Sequence, residues 1–173
     1  MPARVIDGHD AAARYRHAAS IDRLFPTLPR AADAIAGRRA RVTLLQPMAL
    51  STFLVEDNKT IRDNLIPALE DLVGARVIGC AESESEASTW LAAHAGEWQL
   101  VVVDVFLKQG SGLGVLRTCK QRRPNQRAVV LSNYVNADIR ARCTALGADA
   151  VFDKSRELEA FFDYCNDASR TTQ

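Results

Sequence analysis

The stretch Leu100-Val-Val-Val-Asp104 decides how the chain is read. Four consecutive apolar residues, three of them β-branched, leave no face for water, so the segment reads as a strand buried on both sides. Such strands belong to parallel sheets sheathed by helices. The run ends abruptly on a carboxylate. A site at the sheet's carboxyl edge would look like this.

Working outward, the same alternation repeats. Upstream, Thr52-Phe-Leu-Val55 is a short apolar strand closed by Glu56-Asp57. Asn58 is placed to cap a helix whose apolar face is Ile61, Leu65, Leu69 and Leu72, with Pro67 expected to kink it. Gly74 ends that unit, and Ala75–Ala81 reads as a second strand. Ser83 and Glu86 have capping-box spacing ahead of a helix carrying Ala87, Trp90, Leu91 and His94.

Downstream, Gly110-Ser-Gly112 leads into a helix with Leu113, Leu116 and Cys119, stopped by Pro124. Ala128–Ser132 is the fourth strand, and the next helix carries Ile139, Cys143 and Leu146. Gly147–Lys154 gives a short fifth strand. Ser155 is expected to cap a last helix with Leu158, Phe161, Phe162 and Cys165 inside. Five strands alternating with five helices predict an α/β fold with a parallel sheet covered on both faces.

Composition narrows the classes. The chain has 173 residues, 47% hydrophobic and 25% charged, enough to bury a core but short for two full domains. It holds no apolar run long enough to cross a membrane, so no membrane association is expected. The cysteines at 80, 119, 143 and 165 form no closely spaced pair, and His9, His17 and His94 are scattered. Neither a disulfide framework nor a zinc site is indicated, and a cytoplasmic location is expected.

Net charge is +1 overall but uneven. Residues 1–47 hold eight arginines, no lysine and four aspartates, a net +4 that leaves −3 on residues 48–173. The boundaries drawn are therefore a weakly ordered Arg/Ala-rich extension, 1–47, with a short helix-forming stretch at Ala31–Ala40, and a folded domain, 48–173.

In wound parallel sheets, working groups gather at the carboxyl ends of the strands. Glu56-Asp57, Asp104, Ser132 and Lys154 each end a strand here. Carboxylates placed together repel unless a cation neutralises them, and all-oxygen ligands favour a hard ion such as magnesium. With a lysine and a hydroxyl beside it, one carboxylate would sit in a pocket suited to a phosphoryl group.

On these residues, 52–167 resemble the receiver domain of bacterial two-component response regulators. The acidic pair of Phe53-Leu-Val-Glu-Asp57, the acceptor in Val101-Val-Val-Asp104, Gly112-Leu113, the serine of Val130-Leu-Ser132 and Lys154 match in order. The resemblance implies a flavodoxin-like, doubly wound sheet of strand order 2-1-3-4-5. It implies that Asp104 accepts phosphate from a sensor histidine kinase or phosphotransfer protein, with slow self-catalysed loss. Mg2+ is to be held by Glu56, Asp57, Asp104 and the backbone carbonyl of Phe106. Ser132 and Lys154 are to contact the phosphoryl group.

The match has departures. The family's proline four residues after the acceptor is Lys108, the small residue after the hydroxyl is Asn133, and the aromatic three before the lysine is Val151. Phe152 is adjacent, but strand alternation turns it to the opposite face. The positions two after acceptor and hydroxyl, where the family tunes hydrolysis, are Phe106 and Tyr134. An alternative is therefore a degenerate receiver that acts only as a protein-interaction module. A small-molecule phosphatase fits less well, because Phe106 stands where a second acid is needed.

Blander readings stand beside these. Ser132 also suits a helix cap, Arg122-Arg123 a solvated tip, and Trp90 and Trp98 packing. Only Asp167–Gln173 follows the expected last helix, so no appended output module and no direct DNA binding are expected. The remaining partners are an unknown downstream protein and, as a further candidate, a second copy in a homodimer.

Overall fold

The structure, a computed structural model, describes residues 49–171. The extension read at 1–47 lies outside the described residues, as does its helix-forming stretch. Among the described residues the strands are β1 (Ser51–Val55), β2 (Arg76–Ala81), β3 (Leu100–Val103), β4 (Arg127–Ser132) and β5 (Ala150–Asp153). The α-helices are α1 (Lys59–Ala68), α2 (Glu84–Ala93), α3 (Gly112–Thr118), α4 (Ala137–Ala145) and α5 (Leu158–Thr171). All strand pairs are parallel, in the order β2-β1-β3-β4-β5. The expected flavodoxin-like winding is what forms.

Strand alternation divides the core into two layers. Phe53, Val55, Val101, Val103, Ala128, Val130 and Val151 face one side, under Ala87, Trp90 and Leu91 of α2, Val115 and Leu116 of α3, and Cys143 of α4. Leu54, Val77, Leu100, Val102, Val129 and Leu131 face the other, under Leu65 of α1 and Leu158, Phe161 and Cys165 of α5. β3 is buried at every position, as its unbroken apolar run requires. Trp90 stacks on Phe53 with ring centroids 3.9 Å apart, a packing role.

Several local expectations change. After Pro67 the first helix does not break; it widens into a π-helical turn, Leu69–Val73, closed by Gly74 at φ 66°. The extra residue per turn moves the buried face from Leu72 to Val73, and Arg62 is buried where Ile61 was expected. Ser83 accepts from the Glu86 N–H, but the Glu86 carboxylate returns to Glu82 N rather than completing the box. Ser155 lies too early to cap α5: Phe161 N bonds Glu157 O, and Glu157 Oε2 accepts from Asp153 N.

Arg122 is not a solvated tip. Its guanidinium donates to the carbonyls of Cys119, Gln126 and Gly147 and to Asp149 Oδ2, pinning the amino-terminal edge of β4 and β5. Arg123 beside it is the exposed one.

Candidate functional site

The sheet places the strand-end residues through its own hydrogen bonds. The ladder runs one residue beyond β1, β3 and β5: Glu56 N donates to Ala81 O, Asp104 N to Val55 O, and Lys154 N to Ser132 O, at 3.0, 2.9 and 2.9 Å. Side chains just past the strands therefore inherit the rigidity of the sheet. Glu56, Asp104, Ser132 and Lys154 are all buried, at 1%, 6%, 0% and 2% exposure. So much buried polarity is tolerated only when satisfied.

It is satisfied within the group. Lys154 Nζ bridges Glu56 Oε2 at 2.5 Å and Asp104 Oδ2 at 2.6 Å. Ser132 Oγ donates to Asp104 Oδ1 at 2.7 Å, and Phe106 N donates to the same oxygen at 3.1 Å. Glu56 Oε1 accepts from Asn58 N. The serine is thus not a cap for α4, whose cap is Asn136, with its side chain accepting from Ile139 N. Burial pushes the Glu56 carboxyl above the usual range, against the opposing pull of the Lys154 ammonium.

Asp57 stands apart from this knot. Its carboxylate accepts from Lys108 N at 2.8 Å, and Lys108 Nζ lies 3.6 Å from the same oxygen. Instead of three carboxylates turned on one ion, two face Lys154 and the third faces Lys108. Among the described residues no three His, Cys, Asp or Glu side chains form a metal-holding group. The donor chemistry nonetheless fits a hard dication. Glu56, Asp57, Asp104 and the Phe106 carbonyl offer only oxygen, and carboxylate oxygens keep further lone-pair directions free.

Sequence reasoning missed two contributors. Arg62, buried in α1, donates to the Glu56 carbonyl at 2.7 Å and to Glu82 Oε1 at 2.6 Å, fixing the backbone that carries the acidic pair. Glu84 fills a cradle of glycines: a Cβ on Gly114 would come within 1.8 Å of its carboxylate, and Ser111 N donates to it at 2.8 Å. The spacing Gly110-x-Gly112-x-Gly114 was the available signal. Phe106 and Tyr134, two residues beyond Asp104 and Ser132, are 51% and 76% exposed and meet edge to face at 6.1 Å. Val151 is buried under α4, its carbonyl accepting from Arg140, and Phe152 packs on Phe161 of the other layer.

A family model for the response regulator receiver domain matches residues 52–165. The chain belongs to that family. Receiver domains are signalling phosphoacceptor domains rather than conventional enzymes. Solved structures agree on the fold. The receiver of the response regulator NarL from Mycobacterium tuberculosis superposes with a TM-score of 0.62 at 18% identity, covering 72% of this chain and 98% of that one. A response regulator from Burkholderia pseudomallei, solved with a phosphorylated aspartic acid, a calcium ion and citrate, gives 0.56 at 26% identity, covering 70% of each.

Among curated proteins, the DNA-binding transcriptional activator DevR/DosR of Mycobacterium tuberculosis is 30% identical over 103 residues, 57% of this chain and 45% of that protein. A DNA-binding response regulator of the LuxR family from Staphylococcus aureus is a further structural neighbour, with a TM-score of 0.60 at 15% identity over 69% of this chain and 99% of that one. These findings overturn the expectation of no direct DNA binding. That exclusion rested on the few residues after the expected last helix. The chain spans less than half of its curated relative, and that argument does not reach the rest. The final helix is also longer than expected, running to Thr171. No helix among the described residues is long and apolar enough to cross a membrane.

Proposed function

We propose that the receiver domain accepts a phosphoryl group on Asp104 from the phosphohistidine of a sensor kinase or phosphotransfer protein. The observation that carries this is the double hold on one carboxylate: Ser132 on Oδ1 and Lys154 on Oδ2, in a buried setting. An Asp104 oxygen bonds to phosphorus as the phosphorus–nitrogen bond of the donor breaks, its electron pair leaving with the imidazole. Lys154 stays beside the carboxylate that becomes the acyl phosphate and balances the charge that arrives. The Ser132 hydroxyl turns from Asp104 to a phosphoryl oxygen.

Glu56, Asp57, Asp104 and the Phe106 carbonyl would hold Mg2+, which when bound supplies charge neutralisation for the transferring group. The added charge of about −1.5 to −2 then shifts the domain toward a second surface conformation. On the strength of the curated relative, DNA is included among the targets this change controls, alongside a downstream protein. Cys119, Cys143 and Cys165 are buried thiols outside any disulfide, which suits a reducing cytoplasm.

Incubation with acetyl phosphate and Mg2+, read by intact mass, tests the reading. A phosphoryl adduct on the wild type, absent from Asp104→Asn, is the expected result. No adduct under any condition would leave a protein-interaction module, as Asn133 and Val151 suggest.

A further inference from the structure

Lys108 occupies the place where the resemblance led us to expect proline, and two of its groups address Asp57. The backbone N–H, which proline lacks, donates to Asp57 Oδ2 at 2.8 Å. The ammonium stands 3.6 Å from that oxygen and 3.5 Å from the Asp57 carbonyl. The Asp57 side chain is 11% exposed, whereas that of Lys108 is 75% exposed, so a mobile cation on a long stem meets a largely shielded carboxylate. Lys154 is committed to Glu56 and Asp104, and among the described residues Lys108 is the cation paired with Asp57.

We propose that Lys108 is a tethered counter-cation that competes with the divalent ion for Asp57. This rests on the metal-dependent phosphoacceptor reading above. Without metal, the ammonium relieves repulsion among the three carboxylates. When a dication arrives, the ammonium must swing out to solvent, and its attraction to Asp57 is subtracted from the ion's affinity. The domain is thereby set to respond only at a higher magnesium concentration than a chain with an uncharged residue at this position. Because the lysine is solvated in both states, the penalty is modest, roughly three- to tenfold in Kd.

Lys108→Met keeps the N–H and the length of the stem while removing the charge; Lys108→Arg keeps the charge. Mg2+ titration by calorimetry, with Mn2+ relaxation as a second probe, should show Lys108→Met binding roughly three- to tenfold tighter than wild type, with Lys108→Arg close to wild type. The melting temperature of Lys108→Met should rise more on adding Mg2+ than that of the wild type. If the lysine only braced its loop, the Met variant would bind metal more weakly. Equal or weaker affinity in Lys108→Met overturns the counter-cation. Absence of binding in every variant overturns the metal-dependent reading on which it stands.

Discussion

Lys154 Nζ lies 2.5 Å from Glu56 Oε2, joining residues 98 apart in the chain and both about 2% exposed. The same ammonium serves Asp104, so one buried cation compensates two buried anions. Such a group is costly to assemble but far costlier to break on one side, because the survivor is left charged and dry. Lys154→Met should therefore destabilise the domain by about 3–5 kcal/mol, read from urea unfolding. A loss below about 1 kcal/mol would mean that water reaches the carboxylates.

Gly112 touches the acceptor through its missing side chain. A Cβ there would lie 2.1 Å from the Asp104 carbonyl oxygen and 2.8 Å from Val103 Cγ1. Neither backbone nor buried strand can step aside cheaply. Gly112→Ala should cost about 1–3 kcal/mol by overpacking and slow modification of Asp104 by acetyl phosphate. Gly114→Ala makes the milder comparison, since its clash is with the flexible Glu84 side chain. A Gly112→Ala variant as stable and as readily phosphorylated as wild type would contradict this contact.

The strand ends were legible because an all-apolar run such as residues 100–103 has one physical home, and the polar residue that stops it marks the rim of the sheet. Arg62 was not, since a charged residue in an amphipathic helix reads as solvated. Only the Glu56 carbonyl and Glu82 waiting across the turn make its burial favourable. The π-helical turn hid the shift from Leu72 to Val73 for a similar reason, a change of period inside one helix. Two of the Arg122 acceptors, Gly147 and Asp149, lie just ahead of β5, 25 and 27 residues away, beyond any local pattern. Lys108 showed as an oddity of sequence, but its partner appears only when two loops are brought together.

Stability should depend on pH through two groups of opposite sign. Glu56 is raised by burial, so between its ordinary value and its raised one the folded state holds more protons than the unfolded chain. Its contribution is full below the ordinary value and is lost as pH rises through the folded one. Glu157 is lowered, first by the Asp153 N–H and then by Arg140. Its contribution is present above the ordinary glutamate range and is lost as pH falls through the depressed value. Glu157→Gln should thus flatten the acid limb of a stability–pH profile, and Glu56→Gln should remove a decline on the side above the ordinary range. Identical profiles for all three proteins would show that neither group is coupled to folding.

Among the described residues Phe106 and Tyr134 are the exposed large apolar side chains, and they meet edge to face. Each ring stands two residues beyond a member of the acceptor site, Asp104 or Ser132, and the expectation is that the pair slows the approach of water to an acyl phosphate. Replacing both with small polar residues should shorten the phosphorylated state at least about threefold, a barrier change of at least about 0.6 kcal/mol. The decay of the intact-mass adduct after removal of acetyl phosphate measures this. Each single variant should give a smaller effect, because one ring remains. An unchanged lifetime in the double variant would assign the pair to a surface role unrelated to hydrolysis.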